Sequence, residues 1–130
     1  MTVPSGVRLG RISQIALSVK DLGRAVQFYR EKLGIPFLFE APGLAFFQCG
    51  DIMLMLSLPS GPEFDHPAAI LYFQVEDIEA AYQALLAREV PFIDSPHVVH
   101  RTPEYELWMA FFRDPDQNTL AIRAVRKPSP

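Results

Sequence analysis

The chain has 130 residues, of which 49% are hydrophobic and 21% are charged, so the composition favours one folded domain and excludes global disorder. Twelve basic against 15 acidic residues give a net charge of −3, which argues against a nucleic-acid partner. No apolar run reaches the ~18 residues of a membrane span, and the N-terminus lacks a signal-like core. With Cys49 as the only cysteine, we expect a cytoplasmic protein without an intrachain disulfide.

Two segments of the chain repeat one pattern at a constant offset of 70 − 14 = 56 residues. The first starts at Gln14 and has the sequence QIALSVKDLGRAVQFYREKLGIPF. The second starts at Ile70 and has the sequence ILYFQVEDIEAAYQALLAREVPF. Such self-similarity is typical of a domain built from two copies of one structural unit.

Each copy is predicted to begin with a strand and a helix. Alternating apolar residues from Ile15 to Val19 predict a half-buried strand. Asp21 and Asp77 stand at the N-cap positions of the following helices, where a carboxylate accepts the free N–H groups of the first turn. Gly34 is expected to end the first helix, because glycine tolerates the left-handed conformation of a C′ residue. The apolar face of that helix consists of Leu22, Ala25, Val26, Tyr29 and Leu33.

Three more strands are predicted in each copy. They cover residues 36–40, 45–47 and 52–58, and residues 91–95, 110–112 and 119–124. Each last strand follows a turn, and in the second turn Asn118 is expected to tolerate the left-handed region.

The resulting organisation is a single domain over residues 1–130. Its parts are one βαβββ repeat at about 12–58, a linker at 59–67, a second repeat at about 68–124 and a tail at 125–130. The segment 95–106 is the longest non-periodic stretch inside a copy, and it is either a binding loop or a plain surface connection.

The pattern resembles the vicinal-oxygen-chelate superfamily of glyoxalases, bleomycin-resistance proteins and dioxygenases. The segment from Gln14 looks like the family's first βα unit, and AFFRDPDQNTLAI, residues 110–122, looks like its closing hairpin, with Gln117 where the family has Gly. The resemblance implies an α+β fold in which two βαβββ repeats form a cupped eight-stranded mixed sheet. A fold hosts many functions, so the site has to decide among them.

Metal-dependent members of that superfamily hold a divalent cation with four His, Glu or Gln ligands. By the resemblance, the equivalent positions are Gln14, Met55, Ile70 and Ala121. Only Gln14 carries an oxygen donor, and a thioether suits soft ions rather than Mg²⁺, Mn²⁺ or Zn²⁺. We therefore expect no metal and no other cofactor there, which argues against glyoxalase-type isomerisation, epimerisation and extradiol cleavage.

His97 and His100 are the other candidate ligands. A spacing of three places them on opposite faces of a regular strand, so they converge only if the segment bends. Glu104 or Glu106 could then complete an unconventional metal site; otherwise one histidine lines the cleft and the other is solvated. His97 is the candidate general acid or base, because imidazole exchanges protons near neutral pH.

Two functional hypotheses follow. The first is a metal-free homodimer that binds a small apolar or aromatic molecule, as antibiotic-binding members of the superfamily do. The second is a lyase, isomerase or dioxygenase with an unconventional metal site or metal-free chemistry at His97. Core packing is the alternative role for Trp108 and for the methionines, and surface exposure is the alternative for Arg123. The candidate cleft residues are Gln14, Met53, Met55, Tyr72, His97, Trp108, Ala121 and Arg123.

Overall fold

The computed structural model describes residues 10–62, 65–66 and 69–128. The N-terminal residues 1–9, where no signal peptide is predicted, and residues 129–130 of the predicted tail lie outside the described residues. The strands are β1 (Gln14–Ser18), β2 (Phe37–Ala41), β3 (Leu44–Cys49), β4 (Ile52–Ser57), β5 (Leu71–Gln74), β6 (His97–Arg101), β7 (Glu106–Arg113) and β8 (Thr119–Arg126). The helices are α1 (Leu22–Gln27), which continues into a π-helical segment (Phe28–Lys32), and α2 (Ile78–Ala87).

The eight strands form two four-stranded mixed sheets with the orders β1-β4-β3-β2 and β5-β8-β7-β6. In each sheet the first strand of the repeat runs parallel to the last, and the remaining pairs are antiparallel. These identical orders confirm the two predicted βαβββ units, which we call the N-terminal and C-terminal modules. No helix in the described part of the chain is long and apolar enough to cross a membrane.

Each sheet packs one face against helices and leaves the other without a helix. Side chains alternate along a strand, so a core residue has neighbours that point to the opposite side. The buried side contributes the largest core side chains, which are Tyr29, Phe47, Phe112, Leu17, Leu54, Leu56, Ile78 and Leu120. We call the opposite side of each sheet its open face; it carries Ala16, Met55 and Phe46 in the N-terminal module and Tyr72, Ala121 and Phe111 in the C-terminal module.

The predicted helix ends are confirmed. The Asp21 carboxylate accepts a hydrogen bond from the Arg24 N–H at 3.0 Å, and Asp77 accepts one from the Ala80 N–H at the same distance. Gly34 follows the first helix with a φ of 71°, a left-handed conformation that glycine adopts without steric cost. The helices therefore start and stop where local sequence chemistry places them.

The predicted strand at residues 91–95 is wrong. Within that segment Phe92 forms only an isolated bridge with Phe112, and β6 begins later. The pairing with β7 breaks at Asp94, because the side-chain Oδ1 of Asp94 replaces a backbone carbonyl as the acceptor of the Phe111 N–H, at 2.8 Å. The chain then leaves the sheet briefly before it pairs again.

The segment 95–106 is mostly strand rather than loop. It contains β6 and the turn that leads into β7. The register of β6 shifts between Val98 and His100, which indicates a β-bulge that bends this edge strand. At the other end of the module, β8 extends to Arg126, beyond the predicted end at Ala124.

The closing turn of the C-terminal module differs from its prediction at one position. Gln117, not Asn118, adopts the left-handed conformation, with a φ of 66°. The family that this chain resembles has Gly at the position of Gln117. The left-handed backbone conformation is therefore kept, although the residue type differs. Asn118 serves instead as a donor, from its Nδ2 to the Asp114 carboxylate at 2.8 Å.

A buried polar network joins the two modules at this turn. The Tyr29 hydroxyl donates to the buried Asp114 carboxylate at 2.8 Å, and the Lys20 N–H donates to Asp116 at 2.7 Å. Burial, followed by the nearby Asp114 and Asp116 charges, raises the pKa of Tyr29 far above its ordinary value. The Tyr29 hydroxyl is therefore held as a neutral donor that ties the first helix to the second module.

Candidate functional site

A largely apolar cavity borders the open face of the N-terminal module. Ala16, Met55 and Phe46 lie side by side across β1, β4 and β3. This cavity of about 650 Å³ lies over Ala16 and Met55, and its walls are mostly apolar, with Leu44 and Leu58 beside these two residues. The size and lining of this cavity are typical of a small-molecule site.

Three predicted site residues meet on this face. Gln14 lies opposite Met53 in the β1–β4 pairing, and its Nε2 donates to the Met55 Sδ at 3.7 Å. The two methionines share one face of β4, as their spacing predicts. The structure therefore brings Gln14, Met53 and Met55 together.

The open face of the C-terminal module is aromatic at its centre. Tyr72, Ala121 and Phe111 lie side by side across β5, β8 and β7. The Tyr72 and Phe111 rings meet edge to face with 5.9 Å between their centroids. Ala121 beneath them has no exposed surface, whereas Tyr72 is 45% exposed. The exposed surface at this point is thus formed by the two rings and not by Ala121.

Three of the four residues in the neighbouring row of the same face are polar. Gln74, Arg123, Met109 and His97 occupy successive strands from β5 to β6. The Arg123 Nη1 donates to the Gln74 Oε1 at 2.8 Å. Tyr72 and Arg123 are both in the predicted set, and they lie on adjacent rows of one surface.

His97 has one ring nitrogen fixed by the backbone. Its Nδ1 lies 2.8 Å from the Ser95 carbonyl oxygen, which can only accept, so Nδ1 carries the proton. The Asp94 Oδ2 lies 3.9 Å from the same nitrogen. This arrangement leaves Nε2 as the acceptor of the neutral ring.

The bulge in β6 brings His97 and His100 to the same face. They lie opposite Met109 and Leu107, which are two residues apart on β7. Glu106 does not join them, because it is buried on the opposite, core face of β7 and is held there by two hydrogen bonds. Its Oε1 accepts the Trp108 Nε1–H at 3.1 Å and its Oε2 accepts the Arg101 Nε–H at 3.0 Å. Among the residues that the structure describes, no group of three or more His, Cys, Asp or Glu side chains could hold a metal ion.

Trp108 is the one predicted cleft residue that lies on the other side of its sheet. It shares the core face of β7 with Ala110 and Phe112 and packs against the buried cluster. The Arg126 guanidinium lies over its ring at 4.3 Å from the centroid. The alternative of core packing therefore describes Trp108, and we leave it out of the candidate site.

The four positions that hold metal in the resembling family do not fit a divalent cation here. Gln14 offers one amide, and that amide faces the Met55 thioether. Ile70 is an exposed hydrocarbon side chain and Ala121 is buried beneath two rings. One neutral oxygen donor is too few for a divalent site.

Several residues of the two faces are absent from the predicted set. Phe46 and Phe111 occupy equivalent places in the matching triplets at 45–47 and 110–112, and alternation along β3 and β7 places both on the open faces. That periodicity could have identified them. Gln74 had no comparable signal, because its role comes from pairing with Arg123.

The cysteine does not belong to the site. Cys49 ends β3 and is half-buried. Burial raises the pKa of its thiol, so the nucleophilic thiolate is disfavoured at neutral pH.

Comparison with known proteins assigns the family. Residues 11–122 match the model of the Glyoxalase/Bleomycin resistance protein/Dioxygenase superfamily, and the chain belongs to that superfamily. The chain is 29% identical to the uncharacterized protein YraH of Bacillus subtilis, and the match covers 86% of this chain and 96% of the relative.

Solved structures agree with this assignment. A lactoylglutathione lyase from Agrobacterium tumefaciens is 27% identical and superposes with a TM-score of 0.69, covering 90% of this chain and 95% of its own. A superfamily member from Sphaerobacter thermophilus is 22% identical with a TM-score of 0.74, covering 89% and 98% respectively, and shows the same fold.

Proposed function

We propose that the protein binds a small apolar or aromatic molecule on the open faces of its sheets, without a metal ion. The observation that carries this proposal is the largely apolar cavity of about 650 Å³ that Met55 lines. Ile70 and Ala121, at two further family metal positions, are apolar as well. A ligand that leaves water for such a surface gains roughly 25 cal/mol per Å² of apolar area buried. Methionine side chains adapt to irregular shapes, so several related ligands would fit.

A second copy of the chain is proposed to complete the site. The cavity over the N-terminal module is lined from residues 16–66, and none of the C-terminal face residues takes part. Phe39 is 49% exposed and Tyr72 is 45% exposed, one on each face. Exposed aromatic side chains of this size favour burial against a partner, so a homodimer that places one module's open face against the other module of its partner would enclose the ligand.

The dimer is tested by light scattering on the purified chain. We expect two copies at micromolar concentration, and a Phe39→Glu variant should shift the protein toward one copy, because a charge on this face opposes its burial. A Leu86→Glu variant on the exposed side of α2 is the control. A wild-type protein of one copy would refute the shared site.

Ligand binding is tested by calorimetry against a panel of hydrophobic and aromatic compounds. Ala16→Phe places a ring into the cavity and should weaken binding at least about tenfold, a loss of about 1.4 kcal/mol. Ala121→Phe is a less direct test, because a larger residue there displaces the Tyr72 and Phe111 rings. Arg88→Ala, on the exposed end of α2, should leave affinity unchanged. Equal affinity in wild type and Ala16→Phe would exclude this cavity as the site.

A metal-free enzyme is the second candidate, and the fixed orientation of His97 favours it. A neutral imidazole with Nδ1 bound to a carbonyl presents Nε2 as a base. One of the similar structures is a lactoylglutathione lyase, so hemithioacetal isomerisation is the reaction to assay. Turnover that survives a chelator and disappears in His97→Ala would establish the enzyme, and its absence would leave the binding protein.

A further inference from the structure

Arg123 is a half-buried cation on the open face of the C-terminal module. Within the described residues, Arg11, Arg24 and Arg101 each lie within ion-pair distance of an acidic side chain. Arg123 is among the described arginines that are in no such pair, and it lies on the open face. Its one hydrogen bond goes to the neutral Gln74 amide at 2.8 Å. A partly desolvated guanidinium without a counter-charge favours an anion as its next contact.

Gln74 holds the guanidinium in place without neutralising it. A guanidinium carries five N–H donors in a planar fork, and the contact with Gln74 uses one Nη1–H. The remaining donors are available to a planar acceptor with two oxygens. Because the side chain is already oriented, a ligand would lose little further conformational entropy on binding to it.

An aromatic surface lies one row away. Tyr72 precedes Gln74 by two residues on β5, and Ala121 precedes Arg123 by two residues on β8. The Tyr72 and Phe111 rings therefore lie beside the guanidinium on the same face. The separation of adjacent rows along a strand is about 7 Å, which leaves room for a ring on one row and, beside it, a carboxylate with its hydrogen bonds to the guanidinium. The surface thus offers a ring contact and an anion contact on adjacent rows.

We propose that the ligand of this protein is an aromatic carboxylate, with its ring against Tyr72 and Phe111 and its carboxylate on Arg123. This inference rests on the proposed binding function and names the ligand class. His97 lies at the far end of the Arg123 row, with Met109 between them, and sets a polar border to the site. On the same side of the module, the Asp94 Oδ1 accepts the Phe111 N–H, and the Asp94 Oδ2 lies 3.9 Å from the His97 Nδ1.

The test compares two probes of one shape by calorimetry: 2-naphthoate and its neutral amide, 2-naphthamide. In the wild-type protein, naphthoate should bind about tenfold more tightly, as expected for a charge-assisted pair. In Arg123→Gln the naphthoate advantage should disappear while naphthamide affinity is unchanged. Arg88→Gln removes one positive charge from the helical side and should preserve the advantage.

A second variant keeps the test valid if Arg123→Gln does not fold. Gln74→Glu retains Arg123 but supplies it with a carboxylate, which should compete with the ligand and also remove most of the naphthoate advantage. Equal affinity for the two probes in the wild type, or an advantage that survives both variants, would overturn the inference and leave the binding function standing. If neither probe binds, the proposed function itself fails for aromatic ligands. Loss of the dimer in Arg123→Gln would assign the residue to subunit contact and also overturn the inference.

Discussion

On the open faces of the two modules, the large and the small side chains of the central row stand in opposite order. In the central row of the N-terminal module, the small residue is Ala16 on the first strand and the large one is Met55 on the last. In the C-terminal module the order is reversed, with Tyr72 on the first strand and Ala121 on the last. The third member of each row is a phenylalanine, Phe46 or Phe111.

This exchange explains why equivalent backbones offer different surfaces. The space above Ala16 belongs to the apolar cavity, whereas the Tyr72 ring fills the equivalent space and packs on Phe111. The next row differs as well, since Ser57 of the N-terminal module corresponds to Arg123 of the C-terminal module. Duplication therefore determines the scaffold, and a few side chains convert one face into a recess and the other into an aromatic and cationic surface.

The turns that precede the last strands differ even more. Gly50 has a φ of 61° in the N-terminal turn, which is otherwise exposed, and Gln117 has a φ of 66° in the C-terminal turn. The C-terminal turn contains the buried Asp114 and joins the modules, whereas the N-terminal turn carries the exposed ion pair of Asp51 and Arg11, with 3.5 Å between Oδ2 and Nη1.

Asp114→Ala should have the largest effect on stability. The Asp114 carboxylate accepts hydrogen bonds from the Tyr29 hydroxyl, from the Asp116 and Asn118 N–H groups and from the Asn118 amide. Its removal leaves buried donors without partners, so we expect a loss of about 3 kcal/mol in chemical unfolding. Asp51→Ala in the other turn is the control and should change stability by less than about 0.5 kcal/mol. Equal effects would show that the turns are not different in their energetics.

Alkaline pH should weaken the same junction. The folded pKa of Tyr29 lies above its unfolded value of about 10, so the folded state retains the proton more strongly. The stabilisation that the protonated Tyr29 provides is complete below about pH 10. As the pH rises above this value, it is lost by up to about 1.4 kcal/mol per pH unit. Tyr29→Phe should flatten the decline measured by urea unfolding between about pH 9.5 and 11. An unchanged slope would contradict this assignment.

Tyr72→Ala would make the two open faces more alike. Removing the ring uncovers Ala121 and eliminates the contact with Phe111, an aromatic pair worth about 1 kcal/mol. We expect about fivefold weaker binding of 2-naphthoate by calorimetry and a loss of about 1 kcal/mol in folding stability. Tyr72→Phe retains the ring and should bind as the wild type does; if it also loses affinity, the hydroxyl and not the ring makes the contact.

Exchanging residues between the turns should give the smallest effects, of opposite sign. Gln117→Gly should stabilise the protein by up to about 1 kcal/mol, because glycine adopts the left-handed conformation without steric cost. Gly50→Ala should destabilise it by about 1 kcal/mol for the same reason, and no neighbouring atom lies within 4 Å of an added Cβ. Thermal melting measures both, and shifts of the same sign would refute a backbone origin.

Much of the fold was predictable because its signals are local and periodic. The repeat at an offset of 56, the alternation around Leu17 and the caps at Asp21 and Asp77 each depend on residues close in sequence, and the structure confirms the two modules that they predict. The lack of donor chemistry at Met55, Ile70 and Ala121 is likewise a property of residue type. These features needed no knowledge of distant contacts.

The edge strand of the C-terminal module and the composition of its open face were decided by tertiary structure. Strand register depends on a partner distant in sequence, and a one-residue shift moves every later side chain to the other face. The break at Asp94 and the bulge before His100 are such shifts, and they moved β6 beyond its predicted place and aligned the two histidines. Trp108 lies with the core, Ala121 lies under two rings and Arg123 pairs with Gln74 only because the strands that carry them are adjacent in space.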